Sequence, residues 1–169
     1  MGVGILISEE EYLHTSYSPD CEFEDGVLIE RNLGTKDHSS LQGALIAYFY
    51  RRRKSWNIHV FPEQRIRIRV RKYLIPDLCI VSGPEPPEQV FQTAPLIVIE
   101  ILSPDDRTIR VNDKVRQWRD FGVPYVWVID PETLESELHD ERGRTSLQDG
   151  VLRIPGTPIE VPLQLLDED

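Results

Sequence analysis

The chain has 169 residues, of which 40% are hydrophobic and 28% are charged, and this composition predicts one globular domain large enough to bury a core. Its formal net charge of -10 argues against a protein whose whole surface attracts nucleic acid. The sequence has no apolar run of the length that a membrane helix needs, and its two cysteines are too few for a disulfide framework. We therefore expect a cytoplasmic protein that does not bind membranes.

The first elements that the sequence predicts are a short helix and a hairpin. Ser8, followed three residues later by Glu11, forms a capping box that favours a helix start. The Asp25-Gly26 pair lies between two strand-like runs and favours a tight turn, so residues 21 to 30 are predicted to form a β-hairpin. Glu22 then lies on one face of a strand, which points either toward a functional site or into solvent.

A longer helix is predicted from Asp37 to Lys54, because apolar residues recur there at helical spacing. Asp37 or Ser39 can cap its first turn. His38 lies near this start, on the face that points inward. A histidine in such a position either makes a structural hydrogen bond or contributes to a site, and both interpretations stay open here.

The clearest alternation of polar and apolar residues follows, from Arg65 to Arg71. It predicts a strand with one buried apolar face. The other face carries a row of arginines, namely Arg65, Arg67, Arg69 and Arg71. Residues 51 to 72 contain nine of the 19 basic residues of the chain and a single acid, Glu63. This stretch predicts either a basic face that binds nucleic acid or an edge strand protected against aggregation.

Two apolar runs rich in β-branched residues predict buried strands, and the one charged residue in each run is an acid. Asp77 lies in the run from 75 to 81, and Glu100 lies in the run from 95 to 104. A buried carboxylate is costly unless it is paired, hydrogen-bonded or bound to a metal. The pair therefore suggests that the two acids share a divalent cation. Alternatively, Asp77 caps a turn and Glu100 faces solvent at a strand end.

The next predicted helix begins at Asp105 or Asp106 and ends near Phe121, since Gly122 is suited to terminate it. Lys114 falls within the apolar stripe of this helix rather than opposite it. A lysine in that position needs an anionic partner, and the two acids are candidates because the helix directly follows the second acidic strand. Alternatively, the lysine extends from the edge of the stripe to solvent.

The order of helices and strands predicts an α/β fold built on one central mixed β-sheet flanked by helices. The strand-helix-strand unit from 96 to 130 should contain two parallel strands joined by a right-handed crossover. Residues 132 to 169 are predicted to form a late β-hairpin and tail. The sequence has neither a linker nor an internal repeat, which favours a single domain over residues 1 to 169.

In their order along the chain, these motifs resemble the PD-(D/E)XK nuclease superfamily and, within it, the Uma-type family of putative restriction endonucleases. The motifs that carry the resemblance are Glu22 with Asp25-Gly26, His38, Ile75-Pro76-Asp77, the run from Val98 to Pro104, Asp113-Lys114, and the run from Gly122 to Pro131. They cover about residues 5 to 131. The Pro-Asp pair alone is a weak signal, whereas the whole ordered set is fairly specific.

This resemblance implies a restriction-endonuclease-like fold and metal-dependent hydrolysis of phosphodiester bonds. It implies that Asp77 and Glu100 hold Mg²⁺ or Mn²⁺, with the Ile101 carbonyl as a further ligand. A metal-bound water would be the nucleophile. Glu22 would support the site or a second metal, and His38 would be an accessory residue.

The chain departs from the superfamily pattern at one position. The pattern places a lysine two residues after the glutamate, where this chain has Leu102. The resemblance implies that Lys114, on the following helix, takes over the role of that lysine. It would orient the attacking water and stabilise the anionic transition state.

Two functional hypotheses follow. The first is a metal-dependent endonuclease that cleaves DNA and acts as a homodimer, because cutting two strands requires two sites. The second is a catalytically inactive protein of the same fold that binds nucleic acid or a protein partner, which the net charge of -10 favours. A serine or cysteine nucleophile and a structural zinc site are not favoured, because no serine lies in the glycine pattern of a nucleophile elbow and the two cysteines are far apart.

Overall fold

A computed structural model of the chain describes residues 5–106 and 108–168. The predicted domain runs from residue 1 to residue 169, so its outermost residues lie outside the described part. The helices of this part are α1 (Glu9–Leu13), α2 (Lys36–Trp56) and α3 (Thr108–Phe121). Its strands are β1 (Cys21–Glu24), β2 (Val27–Glu30), β3 (Ile58–Pro62), β4 (Ile66–Arg69), β5 (Lys72–Leu74), β6 (Leu78–Ser82), β7 (Ile97–Ile101), β8 (Tyr125–Ile129), β9 (Ser136–Asp140), β10 (Gly143–Ser146), β11 (Val151–Arg153) and β12 (Glu160–Pro162).

Six strands form a central mixed sheet in the order β10-β9-β8-β7-β6-β3. β7 and β8 are parallel, with Glu100 opposite Val128. The other neighbouring pairs of this sheet are antiparallel. α3 connects the two parallel strands, as the sequence predicted. The α/β fold class with a central mixed sheet is therefore confirmed.

A second sheet of four antiparallel strands has the order β2-β1-β5-β4, so the expectation of one sheet was incomplete. β5 ends at Leu74, β6 begins at Leu78, and Pro76 lies between them. Because proline lacks the N–H group that a sheet ladder requires, the chain leaves one sheet there and enters the other. Asp77 consequently lies at the junction of the two sheets.

Both faces of the inner strands of the central sheet are covered, which explains why β6, β7 and β8 are almost wholly apolar. On one face, Ile97 belongs to a hydrophobic cluster with α2 and with side chains from 152 to 166. On the other face, Val98 belongs to a cluster with Trp118 of α3. Since successive residues of a strand point to opposite faces, Glu100 shares the face of Val98 and lies beneath α3.

The helix starts agree only in part with the predicted caps. Ser8 caps α1 as predicted. The cap of α2 is Thr35, whose Oγ1 accepts a hydrogen bond from the His38 N–H at 3.3 Å. Asp37 and Ser39, which were predicted as caps, lie inside the first turn instead. The helix therefore begins one residue earlier than predicted.

α3 is described from Thr108, and residue 107 lies outside the described residues, so the predicted cap at Asp105 or Asp106 stays a prediction. Asp106 accepts hydrogen bonds from the Ser103 N–H at 2.6 Å and from Asn32 Nδ2 at 2.7 Å. These bonds tie the segment after β7 to the segment after β2. The carboxylate that the sequence assigned to a helix cap thus joins two loops.

The end of the chain continues the domain rather than standing apart from it. β9 and β10 form the predicted late hairpin, and β11 and β12 form a further two-stranded sheet. Leu152 and Val161 of this second pair are fully buried in the cluster that contains α2. None of the helices in the described residues has both the length and the apolar character that crossing a membrane requires.

Candidate active site

A pocket of about 280 Å³ opens between the four-stranded sheet, β7 and α3. It is lined by the acids, the lysine and the histidine that the sequence singled out: Glu22, His38, Asp77, Glu100 and Lys114. Glu22 lies on β1 and His38 in the first turn of α2, while Asp77 directly precedes β6. Glu100 lies on β7, and Lys114 lies on α3. Residues that are far apart in the sequence therefore converge on one pocket.

Three contacts hold Asp77 at the junction of the two sheets. Its Oδ2 accepts a hydrogen bond from the Ile101 N–H at 2.7 Å. Its Oδ1 accepts one from Arg31 Nη2 at 2.7 Å and lies 3.3 Å from His38 Nε2. Burial raises the pKa of this carboxyl, but the hydrogen bond from His38 and the charges of Lys114 and Arg31 outweigh burial and lower the pKa below its usual range. Asp77 is therefore ionised.

Glu100 is buried beneath α3, with 8% of the residue exposed. Its Oε1 accepts a hydrogen bond from Trp118 Nε1 at 2.7 Å and lies 3.2 Å from Lys114 Nζ. Burial, together with repulsion from Asp77 and Glu22, raises the pKa of this carboxyl to about 7 in spite of Lys114. Burial is therefore the main reason that Glu100 holds its proton more tightly than a solvent-exposed glutamate does.

Lys114 lies between two acids rather than in solvent. Its Nζ is 2.9 Å from Glu22 Oε1 and 3.2 Å from Glu100 Oε1, and it donates to the Ile75 carbonyl at 3.1 Å. Burial lowers the pKa of this amine, but the three surrounding carboxylates raise it more, so the lysine is held protonated. The structure thus favours the inward orientation over the alternative of a solvent-exposed lysine.

The two glutamates of β1 share one face but have different partners. Glu22 Oε1 accepts a hydrogen bond from the Ile75 N–H at 2.9 Å and contacts Lys114. Glu24 instead pairs with Lys72 at 2.7 Å, nearer the pocket mouth. Glu22 is therefore the glutamate of this strand that faces the other acids.

His38 contacts the site through Asp77. The hydrogen bond to Asp77 raises the pKa of the imidazole, while burial lowers it by less. Its Nδ1 is buried and has no hydrogen-bond partner among the described residues. His38 thus supports Asp77 and leaves one ring nitrogen unused within the described part of the chain.

Arg31 is a residue of the pocket that the sequence analysis missed. It lies in the irregular segment between β2 and α2, its side chain is 14% exposed, and it donates to Asp77. No periodic pattern marks this position. Counting the charges of the site could have predicted it, because three clustered carboxylates need more than one cation to be stable in a buried site.

A family model described as Uma2, putative restriction endonuclease, matches residues 9–164. The chain belongs to this family. Its fold is also that of a crystal structure of a putative nuclease belonging to DUF820 from Anabaena variabilis ATCC 29413. The two chains superpose with a TM-score of 0.80 and are 21% identical, over 95% of this chain and 97% of the other. No curated protein matches the chain.

In this Uma2-family chain, the lysine of the site comes from α3, as the departure at Leu102 led us to expect. Leu102 lines the pocket wall and is half-buried. Lys114 reaches Glu100 from the helix that covers the strand. The resemblance and the helical spacing therefore agree on the same lysine, and its catalytic role remains a prediction.

The row of arginines on β4 does not line this pocket. Arg67 is opposite Tyr73, and Tyr73 is opposite Phe23, so Arg67 lies on the sheet face that α1 covers, away from Glu22. A β-bulge follows Arg67, so Arg69 is opposite Lys72 on the other face, but it is not among the residues that line the pocket. The arginines pair with acids: Arg65 with Asp20, Arg67 with Glu9, Arg69 with Glu24 and Asp25, and Arg71 with Asp25. The contact with nucleic acid predicted for this row therefore lacks support from its position.

The donor chemistry of the pocket fits a divalent metal. Asp77 and Glu100 offer carboxylate oxygens, and Mg²⁺ prefers oxygen ligands. Burial and then repulsion from Asp77 and Glu22 raise the pKa of Glu100, and a bound cation would favour its ionised form. Among residues 5–106 and 108–168, however, no three histidine, cysteine, aspartate or glutamate side chains are arranged as a ligand set. Lys114 and Arg31 contact the two acids instead.

Proposed function

We propose that this chain is a metal-dependent endonuclease that hydrolyses the phosphodiester bonds of DNA. Membership of a family described as putative restriction endonucleases supports a substrate that is a nucleic acid. The observation that carries the proposal is the convergence of Asp77, Glu100 and Lys114 on one pocket. Two acids and a lysine in a concave site are the groups that such a hydrolysis requires.

Asp77, Glu100 and the Ile101 carbonyl would hold Mg²⁺ or Mn²⁺. When bound, the metal supplies Lewis-acid activation of a water and neutralises charge on the phosphate. The Ile101 N–H orients Asp77, and the Trp118 indole orients Glu100. These bonds come from rigid elements, which is what precise placement of ligands needs.

Lys114 would stabilise the negative charge that develops on the phosphate during attack. Glu22 positions its amine, because Glu22 is itself fixed by the Ile75 N–H. The lysine is held protonated and its side chain is 22% exposed, so it provides a positive charge that solvent only partly screens. Neither Lys114 nor Glu22 must leave the pocket to act.

The proposal is tested by incubating the purified protein with closed circular DNA, linear duplex DNA, single-stranded DNA and RNA in Mg²⁺ or Mn²⁺. We expect nicking or linearisation of the closed circle, which only an internal cut produces. Asp77→Asn and Lys114→Ala should each lower the cleavage rate by about a hundredfold or more. Cleavage retained in both variants would contradict the roles given to these residues.

Arg116→Ala is the matched control for Lys114→Ala. Arg116 is on the same helix, its side chain is 70% exposed, and it does not line the pocket, although its partner Asp113 does. This variant should cleave at the wild-type rate. A contaminating nuclease would be revealed if every variant, including Asp77→Asn, cleaved equally.

The proposed enzyme is a cytoplasmic homodimer, since cutting both strands of a duplex calls for two sites. Both cysteines, Cys21 and Cys79, are free and buried, which is compatible with a reducing compartment. Light scattering during size-exclusion chromatography measures the mass of the particle. A mass near twice the 19.6 kDa of the chain is expected.

A second candidate function is binding of nucleic acid or a protein without catalysis. It is favoured by the pairing of each acid in the site with Lys114 or Arg31, which leaves no vacant set of ligands in the described residues. Binding without cleavage in any metal would support it. Mn²⁺ is titrated into the wild type and into the double variant Asp77→Ala/Glu100→Ala. Binding that the double variant loses supports the nuclease, because only the nuclease requires the ion.

A further inference from the structure

Arg31 has a contact that a bound metal would remove. Its Nη2 lies 2.7 Å from Asp77 Oδ1, on the carboxylate that the proposed function assigns to the metal. Its guanidinium also lies 3.5 Å from Glu63, whose side chain is 53% exposed. An arginine carries its charge at all relevant pH values. Arg31 is therefore a permanent cation beside a metal ligand.

Lys114 is anchored more firmly than Arg31. It contacts Glu22, Glu100 and the Ile75 carbonyl, so the loss of one carboxylate leaves it two partners inside the pocket. Arg31 would lose its one short ion pair if Asp77 turned to a metal. Its remaining partner is a weakly held, exposed carboxylate.

We infer that Arg31 is a phosphate-binding residue that is held on Asp77 until the metal binds. The inference rests on the proposed function. Once released, the guanidinium remains in the pocket that would receive the substrate. Its planar fork of donors matches two oxygens of a phosphate, which the point charge of a lysine does not. Arg31 would thus contact the phosphate that is cut or its neighbour.

The inference makes two predictions of opposite sign for Arg31→Ala. Removal of a cation that competes for Asp77 should strengthen Mn²⁺ binding, by roughly tenfold in dissociation constant. Loss of a charge-assisted bond to phosphate should weaken binding of an oligonucleotide by roughly tenfold to a hundredfold. A residue that merely positions Asp77 would give weaker Mn²⁺ binding instead, because the ligand would lose its orientation.

The first measurement is calorimetric titration of Mn²⁺ into the wild type, Arg31→Ala, Arg31→Lys and the control Arg116→Ala. The second is fluorescence anisotropy of a labelled duplex oligonucleotide with Ca²⁺ replacing Mn²⁺. Arg31→Lys keeps the charge and should bind Mn²⁺ as the wild type does, while it restores only part of the oligonucleotide affinity. Arg116→Ala should match the wild type in both measurements. Thermal unfolding of each variant shows that the domain is folded.

Unchanged or weaker Mn²⁺ binding by Arg31→Ala overturns the inference, as does unchanged oligonucleotide affinity. If Arg31→Ala gives one of these results while the wild type binds Mn²⁺ and cleaves DNA, the proposed function stands and only the role given to Arg31 fails. If the wild type neither binds Mn²⁺ nor cleaves, both fail together. Should Arg31→Ala not fold, the comparison of Arg31→Lys with the wild type tests the inference. Oligonucleotide binding by Arg31→Lys that equals the wild type would contradict a role for the planar guanidinium.

Discussion

Glu100 is the residue at which the stability of the fold and the proposed chemistry conflict most directly. Its carboxyl group is buried near Asp77 and Glu22, and burial together with repulsion from these acids outweighs the attraction of Lys114. A site of this kind stores unfavourable electrostatic energy in the absence of a metal. The cost is retained because the same negative charge attracts the cation that the proposed reaction needs.

This conflict predicts a pH dependence of stability in metal-free buffer. The carboxyl of Glu100 has a pKa near 4.5 when unfolded and about 7 when folded. The folded state therefore binds this proton more tightly, so the contribution to stability is fully present below about pH 4.5 and is lost as pH rises through about 7. Between pH 5 and pH 8, the wild type should lose roughly 2–3 kcal/mol relative to Glu100→Gln.

Urea unfolding of both proteins across this pH range measures the difference. Glu100→Gln is the reference because it keeps the shape of the side chain and cannot ionise. Parallel stability curves for the two proteins would show that Glu100 titrates normally in the folded state. The shift in pKa would then have no role in the site.

At the residue scale, the sequence identified the acids and the lysine because each breaks a regular pattern. Asp77 and Glu100 interrupt apolar strands, and Lys114 interrupts an apolar helical stripe. Arg31 interrupts nothing, since it lies in an irregular segment with no period of its own. Residues of this kind are found only when the charges of the folded site are counted.

At the scale of elements, α3 and β7 form the part of the fold that builds the site. Trp118 and Lys114 are four residues apart, one turn of α3, and both contact Glu100. The helix therefore supplies an indole donor and an amine donor to one carboxylate. The packing of α3 on the central sheet and the geometry of the site depend on the same contact.

Trp118→Phe tests this coupling, and Trp127→Phe is its matched control. Both tryptophans are fully buried, but Trp118 donates to Glu100 whereas the Nε1 of Trp127 has no partner in the described residues. Trp118→Phe should cost more stability than Trp127→Phe, by roughly 1–3 kcal/mol, because it leaves a buried carboxylate oxygen without its donor. Equal losses in urea unfolding would mean that the indole contributes packing alone.

The sequence located most elements but not their sheets. The alternation in β4 correctly predicted a strand with a buried face at Ile66. It could not show which strand lies beside β4, because a period of two residues defines faces and not neighbours. Pro76 marks the break between β5 and β6, but the pairing that places these two strands in different sheets is long-range, and no local pattern encodes it.

At the scale of the whole molecule, an acidic protein must bind an acidic polymer. The formal net charge is -10, and Arg65, Arg67 and Arg69 are each paired with acids of this chain. In the proposed function, the bound metal and the few cations of the pocket therefore carry most of the attraction to phosphate. This arrangement predicts that few phosphates of the substrate contact cationic groups of the protein.

The salt dependence of binding measures how many phosphates the protein neutralises. Each phosphate neutralised on duplex DNA contributes about -0.9 to the slope of log K against log salt concentration, so contact through four arginines would give a slope near -4. We expect a slope no steeper than about -2, since one or two phosphates would contact the pocket. Anisotropy titrations between 50 and 200 mM KCl, a range of roughly fourfold in salt, resolve this difference. A slope near -4 that becomes shallower when Arg67 and Arg69 are both replaced by alanine would show that the row of arginines contacts DNA. A shallow slope that these substitutions leave unchanged would restrict the contact with substrate to the pocket.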